Sequence, residues 1–221
     1  MTLVLPGVDT LPPEPLRQTA LSQWFTPQPL ADRIARWAAQ AVPLGQVLEP
    51  SAGSGVFVRA ANAAGASSVT AVEIDPRYAE PLRSQHSPYR FSLRDVPQCE
   101  VCCGDYLAML APAEIYDTAL MNPPYEGGLD GKFLAKAMDE SRRVVALLRL
   151  DALGGKDRHE RVWSQIGALL GVLAGNGYGL AGLVVLVKRP DFGGEHGAMG
   201  DYCVVDLRRG WTGDTRVEWW T

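Results

Sequence analysis

Asn122-Pro123-Pro124-Tyr125 places a carboxamide, two prolines and an aromatic ring in immediate succession. That combination suits methyl transfer to a planar amino group. The nitrogen of an exocyclic amine or a primary amide shares its lone pair with a π system and is a poor nucleophile. A site that accepts both of its N–H groups, one at the Asn122 side-chain oxygen and one at the Pro123 carbonyl, favours a more pyramidal nitrogen with its lone pair freed. Pro123 and Pro124 fix φ and hold that carbonyl in place. Tyr125 supplies a ring able to stack on a flat substrate. Asn-Pro-Pro is also a good turn former, so the neighbouring elements decide between chemistry and a plain turn.

Residues 115–121 read as a strand running directly into Asn122. This puts the motif at a carboxyl strand end, where ligands bind in open α/β sheets. Upstream, residues 46–49 form a short apolar strand that ends in Pro50-Ser51-Ala52-Gly53-Ser54-Gly55, and residues 56–64 continue as a helix. Strand, glycine-rich turn and helix is the order a nucleotide-type cofactor needs, because glycine lets backbone approach a ligand closely. A second strand from Val69 ends in Glu73-Ile74-Asp75. Acids about twenty residues beyond such a turn are spaced to meet ribose hydroxyls, and Glu73 is the better placed. A third strand, residues 100–103, ends in Gly104-Asp105-Tyr106-Leu107. Two roles fit Asp105: accepting a hydrogen bond from an adenine amino group, and capping a helix that starts near Tyr106.

Five segments in order now stand together: Phe25-Thr26-Pro27 before a helix, Leu48-Glu49-Pro50-Ser51-Ala52-Gly53-Ser54-Gly55, Val72-Glu73-Ile74-Asp75-Pro76, Gly104-Asp105-Tyr106-Leu107 and Asn122-Pro123-Pro124-Tyr125. Over roughly residues 23–150 the chain resembles the S-adenosylmethionine-dependent amino-methyltransferases, specifically the DNA adenine (N6) methyltransferases. The resemblance implies an α/β, Rossmann-like class I methyltransferase fold, with a seven-stranded, mostly parallel sheet and helices on both faces. It implies S-adenosylmethionine as cofactor, held by Phe25, Thr26, Glu49, Pro50, Ala52, Gly53, Gly55, Glu73, Ile74, Asp105, Tyr106 and Asn122. In that family the Phe-Thr-Pro segment lines the methionine end, the glycine turn wraps the cofactor, the acid binds ribose and the third motif's Asp touches adenine. Asn122, Pro123, Pro124 and Tyr125 become the catalytic set. The motif order is that of the group whose cofactor half precedes its catalytic half.

The second half continues the alternation. Residues 133–142 and 156–173 read as helices, the latter with Val162, Ile166, Leu169 and Leu170 at helical spacing. Residues 143–150, 183–188 and 202–207 read as strands, bringing the expected total to seven. The loop Arg189-Pro190-Asp191-Phe192-Gly193-Gly194 resembles that of small phage- or prophage-encoded methyltransferases, where Arg-Pro-x-Phe follows the penultimate strand. Two roles fit Phe192: clamping an extruded base opposite Tyr125, and plugging the loop onto the core.

The chain has 221 residues, 47% of them hydrophobic, which suits one catalytic domain over residues 16–221 behind a flexible, proline-rich arm at residues 1–15. A signal peptide and a bilayer-length apolar run are absent, so a cytoplasmic location is expected. Cys99, Cys102, Cys103 and Cys203 read as buried thiols, and His86, His159 and His196 match no ligand spacing, so no metal is expected. Net charge is −4, yet residues 1–130 balance at −6 and residues 131–221 at +2. Arg142, Arg143, Arg149, Lys156, Arg158, Arg161, Lys188 and Arg189 flank strands expected to share a rim with Asn122. Such a stripe binds phosphates even on an acidic protein, with Arg158 and Arg161 the candidate contacts; a solvated helix face mixes signs in the same way.

The expected partner is nucleic acid, DNA first. Adenine in RNA and a protein glutamine amide are alternative targets of the same chemistry, and a non-catalytic module with this fold is a third class. Phe25-Thr26-Pro27 favours DNA, and the 24 residues before Phe25 leave no room for the helical domain usual in glutamine methyltransferases. With no separate recognition region expected, specificity is short, relaxed or supplied by a partner protein.

Overall fold

A computed structural model describes residues 25–85, 98–111, 113, 115–154, 177–192 and 200–221. The expected arm at residues 1–15, the helix at 156–173, Arg158, Arg161 and all three histidines lie outside these residues. Four α-helices are described: α1 (Gln28–Ala41), α2 (Val56–Ala63), α3 (Pro76–Gln85) and α4 (Leu129–Glu140). The strands are β1 (Gln46–Glu49), β2 (Ser68–Glu73), β3 (Gln98–Cys103), β4 (Thr118–Met121), β5 (Arg143–Arg149), β6 (Tyr178–Leu186), β7 (Tyr202–Arg209) and β8 (Arg216–Trp220). They form one sheet in the order β3-β2-β1-β4-β5-β7-β6-β8. Every pairing is parallel except those of β7, which runs antiparallel between β5 and β6.

The chain steps outward from β1 to β2 and β3, then returns to β4 on the other side of β1. This reversal leaves a crevice above the β1 and β4 carboxyl ends, since their following segments diverge to either side.

Eight strands correct the expected seven. The additional one, β8, pairs in parallel with β6 and is anchored through its end residue rather than by an apolar run. Trp220 is 6% exposed and packs edge-on to Trp37 of α1 at 6.1 Å, while Trp37 Nε1 donates to the Glu218 carboxylate at 2.9 Å. The strand β6 also begins at Tyr178, earlier than residue 183, because Gly179 and Gly182 mask its strand character. A Cβ on Gly182 would lie 2.9 Å from the Trp37 indole, so that glycine is a packing requirement of the α1 contact.

The alternation of β5 shows how both faces are filled. Val145 and Leu147 join the cluster containing Ile34, Ala38 and Phe57 of α1 and α2. Val144, Ala146 and Leu148 join Phe133, Leu134 and Met138 of α4 on the other face. A strand covered on both sides reads as a continuous apolar run, and each such aliphatic side chain contributes about 1.5–3 kcal/mol of burial. The amino-terminal end of β5 is charged. Arg143 is 4% exposed, forms a two-pronged pair with Asp206 at 2.8 Å and donates to the Ala38 and Val42 carbonyls that close α1. No described helix is long and apolar enough to cross a membrane.

Candidate active site

A cavity of about 230 Å³ opens at the carboxyl ends of β1, β2, β3 and β4. Its floor is the turn after β1. Ala52 N–H donates to the Val72 carbonyl at 2.9 Å and Gly104 N–H to the Glu73 carbonyl at 2.9 Å, locking three strand ends together. Gly53 adopts φ +51°, and a Cβ there would sit 3.1 Å from the Phe25 ring. Gly53 therefore admits Phe25, whose ring packs against Tyr78 of α3 with centroids 5.1 Å apart. Gly55 has φ +80°, and its Cβ would lie 2.4 Å from Leu82, so α3 packs where only glycine fits.

Of the acids at the strand ends, Glu49, Glu73 and Asp75 are buried and Asp105 is exposed. Glu73 is 6% exposed; its Oε2 accepts the Gly53 N–H at 2.6 Å and its Oε1 the Asp75 N–H at 2.8 Å. Burial raises its pKa, opposed by those amide hydrogen bonds. Glu49 is 1% exposed, accepts the Ser51 N–H at 3.1 Å, and is pushed up to about 8 by burial. Asp75, fully buried, pairs with Arg77 at 2.6 Å. Asp105 Oδ1 accepts the Leu107 N–H at 2.9 Å, capping a short 3-10 turn over Tyr106–Ala108.

Asn122 follows β4 and lines the cavity. Its backbone carbonyl accepts from Ser51 Oγ at 3.1 Å, which joins it to the glycine turn. Its Nδ2 donates to Thr26 Oγ1 at 3.0 Å, and its Oδ1 accepts the Tyr125 hydroxyl. Tyr125 corrects the picture of a ring free to stack. Its hydroxyl also donates to the Leu147 carbonyl at 3.2 Å, and its ring lies edge-on to Tyr202 at 5.9 Å, outside the cavity lining. Asn122 after β4 and Leu147 within β5 share the single hydroxyl proton and hold the phenol against the core. Burial pushes its pKa well above the ordinary phenol value.

All residues expected to hold a cofactor line the cavity except Glu49 and Gly55, which stand behind it; of the remaining catalytic set, Pro124 lines it and Pro123 is buried. Sequence reasoning missed Ser51, Ser54, Val56, Phe57, Gly104, Leu107, Leu129 and Phe133. Ser51 and Leu107 lie inside quoted motifs and were within reach. Leu129 and Phe133, one helical turn apart on α4, look like ordinary core positions; Phe133 packs on Tyr106 with centroids 5.1 Å apart. Of the two roles that fit Phe192, its 6% exposure and its packing on Tyr202 at 5.1 Å match the plug.

Of the basic stripe, Arg142 and Arg143 are corrected, while Lys156, Arg158 and Arg161 lie outside the described residues. Arg142 and Arg143 stand at the amino end of β5, opposite the rim that carries Asn122. On the Asn122 side, Arg149 pairs with Asp151 at 2.5 Å and Arg189 with Asp201 at 3.2 Å. Among the described residues, no group of three or more His, Cys, Asp or Glu is arranged to hold a metal ion. Cys203 is buried, and Cys99, Cys102 and Cys103 on β3 are half-buried free thiols.

No protein-family model matches the chain, and no curated protein matches it in sequence. Solved structures do match in shape. PH1948 from Pyrococcus horikoshii, described as a "putative RNA methyltransferase", superposes with a TM-score of 0.65 at 18% identity, covering 91% of this chain and 94% of that one. The 23S rRNA methyltransferase ErmE gives 0.57 at 21% identity over 85% and 70% of the two chains. Magnesium protoporphyrin IX methyltransferase from Synechocystis PCC 6803, crystallised with bound SAM, gives 0.58 at 15% identity over 95% and 86%. With these likenesses and the sheet order above, the chain has the Rossmann-like class I methyltransferase fold, extended at one edge by β8.

Proposed function

We propose that this protein transfers the methyl group of S-adenosylmethionine to the exocyclic 6-amino group of adenine in DNA. The observation that carries the reading is the meeting of Asn122 with Glu73, Asp105 and the Phe25-Thr26 segment around one cavity at four strand ends.

The residues present fit the cofactor. Glu73 spends one lone pair of each oxygen on a backbone amide, and a carboxylate has further acceptor sites for two ribose hydroxyls. Ile74, 41% exposed, and Leu107 offer apolar surface for a purine, and Asp105 an acceptor for its amino group. S-adenosylmethionine, when bound, supplies an electrophilic methyl group on a sulfonium sulfur. Asn122 Oδ1 exchanges the Tyr125 hydroxyl for one amino N–H of the target, and the Pro123 carbonyl takes the other. With that group bound, the nitrogen held by Asn122 and the Pro123 carbonyl would take the methyl as the C–S bond breaks to a neutral thioether, and the surplus proton would leave to water. The protein contributes alignment and hydrogen-bond geometry, not a strong base.

Adenine in RNA is the second reading, favoured by similar structures described as RNA methyltransferases. Purified protein is incubated with methyl-labelled S-adenosylmethionine and unmethylated DNA, RNA or protein extract. Label recovered from DNA as N6-methyladenine is expected. Label confined to RNA or protein reassigns the substrate, and cofactor binding without any transfer supports a non-catalytic module.

A further inference from the structure

We infer that the outer edge of β8 is a self-complementary face that takes a second copy of this chain, the two β8 strands pairing antiparallel about a two-fold axis. β8 ends the sheet, and among the described residues no strand lies beyond it. Its backbone is turned to receive one. The Trp220 carbonyl accepts the Val187 N–H at 2.9 Å, so Trp220, Glu218 and Arg216 direct their backbone polar groups towards β6. Those groups alternate sides along a strand, which points the N–H and C=O of Val217 and Trp219 away from the sheet. The side chains of the same two residues leave one face of this edge apolar, with Val217 45% and Trp219 64% exposed. Such an edge is a template for pairing with another chain.

Charge on the opposite face selects the partner. Arg216, Glu218 and Trp220 share that face, and the Arg33 guanidinium of α1 lies 4.2 Å over the Trp220 ring. Continuing the alternation back from Arg216 adds Asp214, which is exposed. The order along the edge is then acid, base, acid, base, and reversing it gives its own complement. With Val217 opposite its counterpart, Arg216 of each copy faces Glu218 of the other, and Asp214 faces Arg33 at Trp220. Arg216 also pairs with Glu218 of its own chain at 2.7 Å, so these four charges alternate in sign around the axis. Asp214 and Arg33 have no ion-pair partner of their own among the described residues. Sliding the strands so that Glu218 faces its counterpart sets like charges against each other, which is destabilising. One register on a closed two-fold contact therefore satisfies backbone, apolar face and charge together. Five strand residues a side make a small contact, of the weak and reversible kind.

Sedimentation equilibrium of the full chain at low salt tests this, with Val217→Pro, Asp214→Arg and the double variant Asp214→Arg/Arg33→Glu beside the wild type. Wild-type mass is expected to rise with concentration towards twice 23.9 kDa. Val217→Pro removes an outward N–H that β6 does not use, a change an edge strand tolerates, and is expected to raise the dimer Kd by about tenfold or more. Asp214→Arg sets like charges across the axis at two symmetric places and is expected to raise Kd by about tenfold, with the double variant returning to within about threefold of wild type. Thermal melting checks that each variant is folded; if Val217→Pro is not, the charge variants decide. A wild type that stays monomeric up to about 200 µM, far above the range of a useful weak contact, overturns the inference. So does a dimer that folded Val217→Pro leaves intact, or one that Asp214→Arg leaves intact or that Arg33→Glu does not restore. A monomer whose Val217 and Trp219 amides are protected from hydrogen exchange assigns the edge to another segment of the same chain and likewise overturns it.

Discussion

The Glu73 carboxylate accepts the Gly53 backbone N–H at 2.6 Å, so the end of β2 closes the turn that follows β1. One acid therefore builds the loop and faces the cavity. Replacing Glu73 by Gln leaves a single acceptor oxygen for two backbone amides, Gly53 and Asp75, and sets an NH2 group against one of them. The expected cost is roughly 1–3 kcal/mol of stability, because a buried donor loses its partner. Glu73→Gln is also expected to weaken S-adenosylmethionine binding by about tenfold or more through loss of charge-assisted hydrogen bonds to ribose. Calorimetric titration and urea unfolding check the two effects separately; unaltered affinity removes the ribose assignment.

Asn122→Ala removes the acceptor proposed for the target nitrogen while leaving the backbone carbonyl that Ser51 holds. A preorganised hydrogen-bonding group of this kind is worth about 10²–10³ in kcat. Single-turnover transfer should fall by that factor while cofactor Kd changes little. Undiminished transfer would show that the Pro123 carbonyl and proximity suffice.

Motifs whose chemistry is local were legible in the sequence. Gly53 and Glu73 were recognisable as cavity residues because a glycine turn after a strand and an acid at a strand end each declare themselves within a few residues. Asn122 was placed at the end of β4 for the same reason. Long-range choices were not legible. Tyr125 has a hydroxyl free to satisfy acceptors on β4 and β5, and only the folded sheet brings Leu147 within 3.2 Å. Arg143 looked like part of a phosphate-binding stripe, yet its partner Asp206 is 63 residues away and buried beside it. The strand β8 escaped because Arg216, Val217 and Trp219 are exposed and only Trp220 is buried, so the segment lacks a clean apolar alternation.

The Arg143 pair itself predicts a large effect on stability. Asp206 is 1% exposed; despite its burial, hydrogen bonds from Arg143 and Arg208 hold its pKa below the ordinary carboxylate value. Asp206→Asn leaves Arg143 charged and buried with a neutral partner, and breaking such a pair costs about 3–5 kcal/mol. Because the folded pKa is depressed, the pair's contribution is present above the unfolded value of 3.8 and is lost as pH falls through the folded value. Urea unfolding at pH 7 should show the full difference between wild type and Asp206→Asn. A difference below about 1 kcal/mol would place the pair with surface ion pairs of little consequence.

Glu49 predicts the opposite pH dependence. Burial raises its carboxyl from 4.5 to about 8, against two hydrogen bonds from Ser51 and with a smaller push from the charge of Glu73. Its Oε2 is buried with no hydrogen-bond partner among the described residues. The folded protein thus retains a proton that the unfolded chain releases above about pH 4.5. The stabilisation is complete below that pH, declines as pH rises towards about 8, and changes no further beyond it. Glu49→Gln keeps the shape of the neutral acid and does not titrate. Urea unfolding of both proteins from pH 5 to pH 9 should therefore show the Gln variant gaining on wild type up to about pH 8, by as much as a few kcal/mol, with a constant gap above it. Parallel stability curves across that range would mean that Glu49 ionises inside the fold as it does in water.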